Sequence, residues 1–427
     1  MTSPTPAAAT APSGRCPFSG DAGDFSSFFS GPYQQDPAAS LKRARTEEPV
    51  FHDPETGYWV VTRYKDVKRV FSESKSFSAA VTLAPVMPPS AEAGEVLQKY
   101  AFAPSPVLID SDQPVHRTIR RLNAPVFMPE NIDRLEDFIR TTTNRYIDRF
   151  AEKGQADLVA DLLWDVPCLI ALEFLGVPEE DVDTVRKLAT SMTEFIWGQA
   201  SPEEQVHAAE GLGKFWAMAG RIVEKMKQLD NPPGWIGHTV KLQREHPELF
   251  PDSYLQTNVI GGTMAAHETT TNATANALLT LLQNRGQWDS ICKDPSLIPA
   301  VVEECLRYSS SVVAWRRTAK VDVEIGGTTI PAGANVLMVI ASANHDEDIF
   351  DAPDEFEPTR SNSTAHIAFG HGPHMCLGNH LARLEMKIFL EELSRRLPGM
   401  RLDDQEFTYL PNTSFRGPEK LQVSWNP

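Results

Sequence analysis

The chain has 427 residues, of which 41% are hydrophobic, which is enough to bury a large core. Its 57 acidic residues outnumber its 40 lysines and arginines, and the net charge of -17 argues against nucleic acid or an anionic membrane surface as a partner. The five cysteines are odd in number and scattered, which indicates a reducing, cytoplasmic setting rather than a disulfide framework. No stretch approaches the roughly 20 apolar residues of a spanning helix, so we expect no membrane partner.

The N-terminal half of the sequence predicts a lead-in followed by helices. Residues 1–25 are rich in Ala, Pro, Ser and Thr and lack an apolar run, so we interpret them as disordered and 26–427 as the folded domain. Residues 51–77 predict a β-hairpin and a short helix. Residues 82–106 carry five prolines and predict a long loop, a candidate lid over a pocket. Residues 130–246 predict a bundle of helices.

Two further helical segments carry paired polar side chains. Pro114 opens a predicted helix on which His116 and Arg120 lie four residues apart, and therefore on one face. In the last third of the chain, Glu304 and Arg307 lie three apart, which also places them side by side. For either pair an ordinary solvated surface is the usual explanation when nothing else is known.

The longest predicted helix covers 253–284 and has a weak centre. Gly261 and Gly262 lower helix propensity there, and a hydroxyl of the threonines that follow can bend the helix and open a groove by bonding the carbonyl four residues back. Beyond this helix, the sequence 323–330 predicts a hairpin with a Gly-Gly turn, and 335–340 and 406–423 predict further strands. The fold class expected from these segments is mainly α with a smaller β region.

The segment around Cys376 combines a tight loop with a helix start. Gly370, Gly372 and Pro373 permit sharp turns before the cysteine, and apolar residues at helical spacing follow it as far as Leu397. Unpaired helix N–H groups near the sulfur favour the thiolate, so we expect a lowered pKa for Cys376. A zinc site is the alternative, because histidines crowd this segment, but a second Cys or His pair at zinc spacing is missing from the sequence.

The spacing Phe369-Gly370-x-Gly372-x-His374-x-Cys376-x-Gly378 closely resembles the haem-binding loop of cytochromes P450. This resemblance implies a cytochrome P450 fold that holds haem b, with Cys376 as the axial ligand of the iron. It extends to other segments in the family's order, including Arg317, which resembles a propionate-binding arginine. The residues that it implies to bind the cofactor are His116, Arg120, Ala265, Arg317, Phe369, Gly370, His374, Cys376 and Gly378.

The same resemblance suggests roles for three other groups of residues. The run 265–270 resembles the family's oxygen-binding motif, with Ala266 where Gly is more usual, and implies that Glu268 and Thr269 are catalytic proton carriers. Glu304 and Arg307, with Arg360 as third member, resemble a structural ion-pair triad. The substrate-pocket residues implied are Val312, Val313, Trp315, Ala265 and Phe415.

The activity implied is that of a haem-thiolate monooxygenase, which inserts one oxygen atom from O2 into a small apolar or aromatic organic substrate by hydroxylation or oxidative dealkylation. A peroxygenase driven by hydrogen peroxide is one alternative, but that branch typically replaces the acid and the alcohol. A non-catalytic haem sensor is another, although it would usually carry a signalling domain.

The electron supply is expected to come from outside the chain. No G-x-G-x-x-G follows a strand and no four-cysteine iron–sulfur spacing occurs, so NAD(P)H acts only through a reductase. The donor is either a ferredoxin with its ferredoxin reductase or a fused flavin and iron–sulfur reductase. The run Ser13–Phe18, together with the motif at 265–270, resembles the haem domains of self-sufficient P450s fused to a phthalate-dioxygenase-type reductase.

Overall fold

The computed structural model describes residues 25–189 and 192–426 and leaves out the side chain of Met192. Segments with apolar residues three and four apart form helices in it. In chain order the α-helices are α1 Pro32–Gln35, α2 Pro37–Ser40, α3 Lys42–Glu47, α4 Tyr64–Ser72, α5 Ala91–Lys99, α6 Val115–Asn123, α7 Pro129–Ile132, α8 Glu136–Ile147, α9 Asp165–Leu175, α10 Val182–Leu188, α11 Met192–Trp197, α12 Pro202–Lys227, α13 Gly234–Glu245, α14 Asp252–Gln283, α15 Arg285–Lys293, α16 Ile298–Tyr308, α17 Ile340–Ala343 and α18 Asn379–Arg396. The mainly α class is confirmed.

A smaller β region lies beside the helices. Its strands are β1 Val50–His52, β2 Trp59–Val61, β3 Phe77–Ser78, β4 Gln155–Asp157, β5 Trp315–Ala319, β6 Val323–Ile325, β7 Thr328–Ile330, β8 Asn335–Met338, β9 Arg401–Leu402 and β10 Gln422–Ser424. The larger sheet has the order β1-β2-β8-β5-β3, with β2 and β8 parallel and the other pairs antiparallel. The predicted Gly-Gly hairpin is β6-β7, and both glycines of its turn have positive φ.

Helix α14 runs between two apolar clusters, and this position explains why so much of it is buried. Its first turns, including Leu255 and Val259, pack with α12 and α13. Its last turns, from Ala273 to Leu282, pack with α8, α16 and α18. A helix whose first and last turns are both buried in apolar clusters is held in place mainly by packing rather than by local helix propensity.

Three segments differ from the sequence expectation. The predicted loop 82–106 contains helix α5, because the Ser90 hydroxyl caps it at Ala93 N and Val96 packs inward. Phe25, assigned to the disordered lead-in, is fully buried, whereas residues 1–24, including Ser13–Phe18, lie outside the described residues. In the tail 406–423, regular strand is limited to the β10 pairing.

A buried ion pair joins α16 to the loop that follows α17. Both side chains of Glu304 and Arg307 are fully buried, and Arg307 donates to the carboxylate at 2.7 and 2.9 Å. Arg307 also donates to the carbonyls of Asn344 and Pro353, at 3.0 and 2.9 Å. Arg360 lies 3.4 Å from the same carboxylate. Every charge here has partners, which is what a buried pair requires in order to be tolerated.

We therefore expect Glu304→Ala to lower the free energy of unfolding by about 3–5 kcal/mol, because Arg307 would remain buried without its carboxylate. The urea midpoint, followed by circular dichroism, measures this loss. The matched control is Glu210→Ala, which breaks an exposed helical pair with Lys214 and should cost no more than about 0.5 kcal/mol. Equal shifts in the two variants would contradict the structural role of Glu304.

Candidate functional site

The cysteine loop is held by close backbone contacts that only glycine permits. Gly370 and Gly372 have φ of +70° and +69°, and a Cβ on Gly372 would lie 2.9 Å from the carbonyl oxygen of Phe71. The Cys376 amide donates to the Phe369 carbonyl at 2.9 Å, which closes the loop. Arg120, on α6, donates to the Met375 carbonyl at 2.6 Å. The loop is therefore fixed by α4, by α6 and by its own turn.

The pKa of the Cys376 thiol differs from the lowered value that the sequence predicts. Burial by the surrounding protein raises the pKa of the thiol, although the residue as a whole keeps exposed surface. The Gly378 amide, Arg120 and Arg383 act in the opposite direction. The expected lowering fails because desolvation outweighs both the amide of Gly378, the N-cap residue of α18, and the two arginines.

Four basic side chains gather beside the loop. The rings of His116 and His374 stack with centroids 3.7 Å apart. Burial, aided by the nearby Arg120 and Arg317, lowers the pKa of His116 to about 4 and that of His374 to about 3. Burial also lowers the pKa of Arg317 to about 10. The site is therefore rich in hydrogen-bond donors and in positive charge.

Several of these side chains have a buried nitrogen without a hydrogen-bond partner within the described part of the chain. The buried atoms concerned are His116 Nε2, His374 Nδ1 and Arg317 Nη2. The amide of Gln113 lies 2.9 Å from His116 Nδ1, which leaves Nε2 to carry the proton of a neutral ring. Unpaired buried donors are uncommon in proteins. A ligand with carboxylate groups fits this set of donors, and the two propionates of haem are such groups.

Helix α14 carries the predicted acid and alcohol, and the structure gives them different partners. The Thr269 hydroxyl donates to the Ala265 carbonyl at 2.7 Å. Glu268 accepts from the Thr193 hydroxyl on α11 at 2.5 Å. Burial raises the pKa of Glu268, the Thr193 bond opposes this rise, and Glu194 adds to it. Ala265 is exposed although it belongs to a largely buried helix, so this turn faces accessible space.

Glu268 also borders a cavity of about 180 Å³ between α14 and the C-terminal segment. Trp164, Asn272 and Phe415 contribute to its lining. The lining is more apolar than polar, but it includes the side chains of Glu268 and Asn272, and the volume has room for several water molecules. The acid therefore borders a space for water on the side of the helix that bears Asn272.

An aromatic cluster forms the predicted pocket wall. The rings of Trp197 and Trp315 have centroids 6.1 Å apart, and Phe415 meets Trp197 edge-on at 4.7 Å. Val312 packs against this cluster and is bridged to Phe415.

Val313 was wrongly predicted as a pocket residue: it is 2% exposed and packs in the separate core that contains Phe25. Alternation along an extended segment turns it away from Val312.

Sequence reasoning did not single out Thr193, Arg383 or Glu303 as residues near the site. Thr193 contacts Glu268 from 75 residues away in sequence. Arg383 lies over the Phe369 ring and pairs with Glu303. The only local signal was the spacing of Asn379 and Arg383, four apart on one face of α18.

The histidines near Cys376 point to different partners. His374 stacks on His116, and His380 lies 2.8 Å from Asp133. Among the described residues, no three His, Cys, Asp or Glu side chains come close enough together to hold a metal ion by themselves. In the same part of the chain no helix is both long and apolar enough to cross a membrane.

Comparisons with known proteins agree with this geometry. Residues 287–397 match the family model described as Cytochrome P450. The chain is 32% identical to Cytochrome P450 107B1 of Saccharopolyspora erythraea over 377 residues, which cover 86% of this chain and 88% of that protein. It is 45% identical to the P450 heme domain of Tepidiphilus thermophilus, with a TM-score of 0.92 and coverage of 95% of this chain and 97% of that one.

A third structure is an intact type IV self-sufficient cytochrome P450 monooxygenase, 50% identical with a TM-score of 0.94. The match covers 98% of this chain but spans only 55% of that longer chain. The peroxygenase and sensor alternatives are not favoured by these relatives. The chain therefore belongs to the cytochrome P450 family, whose monooxygenases use haem b and O2 with electrons from redox partners.

Proposed function

We propose that residues 26–427 form a haem domain in which Cys376 ligates the iron and the basic cluster binds the propionates. His116, Arg120, Arg317 and His374 are the propionate-binding residues of this proposal. The observation that carries it is the set of buried nitrogen atoms without a hydrogen-bond partner beside the cysteine loop. Phe369 and Gly378 shape the sulfur's surroundings, since a Cβ on Gly378 would lie 3.9 Å from it.

When bound, the haem supplies the redox chemistry that activates O2. In our proposal the protein supplies protons through Glu268 and Thr269. The raised pKa of Glu268 allows its carboxyl to hold a proton nearer to neutral pH, as a general acid requires. Thr193 holds this carboxyl in place, and the adjoining cavity admits the water that recharges it.

The substrate of this proposal is a small apolar or aromatic molecule, which is hydroxylated or oxidatively dealkylated. The wall formed by Val312, Trp315 and Trp197 offers apolar surface and flat rings. Ala265, which is exposed on α14, leaves room beside this helix. This wall positions the substrate and excludes water from the reacting atoms.

For the electron donor, we propose a reductase that is fused to this domain in the native protein, or a ferredoxin that acts in its place. The 50% identity to part of a longer self-sufficient enzyme supports the fused arrangement. The donor contacts the face of the cysteine loop. Arg117 and Arg121 are exposed on α6, the helix whose Arg120 holds this loop. They offer positive charge in an otherwise acidic protein.

We also place the protein in the cytoplasm. The few, scattered cysteines suit a reducing compartment. The four cysteines in the described residues are free thiols.

Replacing Cys376 by His should abolish the red-shifted Soret band that a thiolate-ligated haem gives in its reduced carbon monoxide complex. The spectrum of the purified holoprotein measures this. Cys292→Ser, which changes a thiol on α15 that lies 4.0 Å from the Pro398 carbonyl, is the matched control and should keep the band. Survival of the band in Cys376→His would exclude Cys376 as the ligand.

Thr269→Ala should leave the haem content near normal while electrons are diverted from product to peroxide or water, because the proton path loses its hydroxyl. Product formed per NAD(P)H oxidised, measured with a redox partner, should fall by roughly 10-fold or more. Thr263→Ala is the control, since Thr263 also donates to a carbonyl four residues back on α14. An unchanged yield in Thr269→Ala would show that water or Thr270 carries the proton.

The purified chain, mixed with a substrate and NADPH alone, should give no product, because it lacks the motifs that accept hydride. Addition of a ferredoxin and its reductase should start turnover, measured as hydroxylated product. Arg117→Glu together with Arg121→Glu should weaken this donor-dependent rate and leave the carbon monoxide band unchanged. Steady NADPH-driven hydroxylation by the chain alone would refute this electron supply.

A further inference from the structure

A bidentate ion pair connects α16 to the helix that follows the cysteine loop. Arg383, on α18, donates to the two carboxylate oxygens of Glu303 at 2.5 and 3.0 Å. The remaining nitrogen of Arg383 donates to the side-chain oxygen of Asn379 at 2.8 Å. The guanidinium is therefore fixed from two sides, and the loss of one partner leaves the other to hold it.

The fixed guanidinium lies on the aromatic ring of the cysteine loop. Its central carbon is 4.5 Å from the centroid of the Phe369 ring, a cation–π distance. Glu303 also contacts His366, whose Nε2 lies 3.3 Å from the carboxylate. The centroid of the His366 ring is 5.9 Å from that of the Phe369 ring. Glu303 thus holds two groups that contact the same ring.

The charge of Arg383 lies beside the loop that carries the sulfur. The Arg383 guanidinium rests on the ring of Phe369, and the Phe369 carbonyl accepts a hydrogen bond from the Cys376 amide at 2.9 Å. Arg120 reaches the same loop at the Met375 carbonyl. Glu303, paired directly with Arg383, opposes part of its field. Reduction of an iron–thiolate site adds one negative charge, so a nearby positive charge favours the reduced form and a nearby negative charge disfavours it.

We propose that Arg383 and Glu303 are a pair of positioning residues that set the reduction potential of the haem iron, with Arg383 raising it and Glu303 lowering it. This inference rests on the proposed ligation by Cys376. The step concerned is the uptake of one electron by ferric iron to give ferrous iron, and no bond to sulfur forms or breaks. The electron comes from the chemical reductant in a titration and from the redox partner in turnover.

The two charge-neutralising variants should shift the potential in opposite directions. Glu303→Gln should raise it, because Arg383 stays in place on Asn379 with its charge no longer offset. Arg383→Gln should lower it. We expect each change to be about tenfold in the reduction equilibrium, or about 59 mV for one electron. Spectroelectrochemical titration of the substrate-free holoprotein at one pH measures both.

Two further variants separate this electrostatic role from a structural one. Arg395→Gln removes the same charge from a mostly exposed position on α18 and should leave the potential unchanged. Arg383→Lys keeps the charge without the bidentate fork and should restore part of the potential lost in Arg383→Gln. A change of protein stability alone would not produce this pattern.

Shifts of the same sign, or no shift, in Glu303→Gln and Arg383→Gln would overturn the inference. If Arg383→Gln does not retain haem, a raised potential in Glu303→Gln supports the proposal and an unchanged one refutes it. The carbon monoxide complex of the unmodified chain keeps the two proposals distinct. Absence of its red-shifted band would refute ligation by Cys376, whereas its presence without opposed shifts would refute only the role of this pair.

Discussion

A buried polar or charged group without a partner is costly, and the chain meets this constraint in two different ways. Glu304 and Arg307 satisfy each other and the surrounding carbonyls, so they form a closed structural unit. His116 and Arg317 are equally buried, yet each keeps an N–H group with no acceptor among the described residues. The first arrangement stabilises a fold, and the second suits the binding of an anionic group. Burial alone would not have distinguished them.

The features that the sequence predicted well are those with local causes. The cysteine loop depends on Gly370 and Gly372, whose positive φ values are a property of the residue type. The hairpin of β6 and β7 follows from its two glycines. In each case the physical requirement lies within a few residues and can be recognised before any tertiary contact is known.

The features that were missed depend on contacts between distant segments. Thr193 reaches Glu268 only because α11 packs beside α14. The orientation of Val313 is decided by which of two neighbouring cores its side chain enters. The pKa of Cys376 was misjudged for a related reason, since desolvation is a tertiary effect that outweighs the local dipole. Helix α5 was missed because prolines on both sides obscured its capping serine.

Two adjacent glutamates show how closely stability and the site are connected. Successive residues of a helix point about 100° apart, so Glu303 and Glu304 leave α16 in different directions. Glu304 reaches Arg307 and Arg360 and fixes the loop after α17. Glu303 reaches Arg383 and so fixes α18 immediately after the cysteine. One turn of α16 therefore holds the segments that lead into and out of the cysteine loop, and Phe369 and the sulfur are positioned by the same helix that secures the surrounding fold.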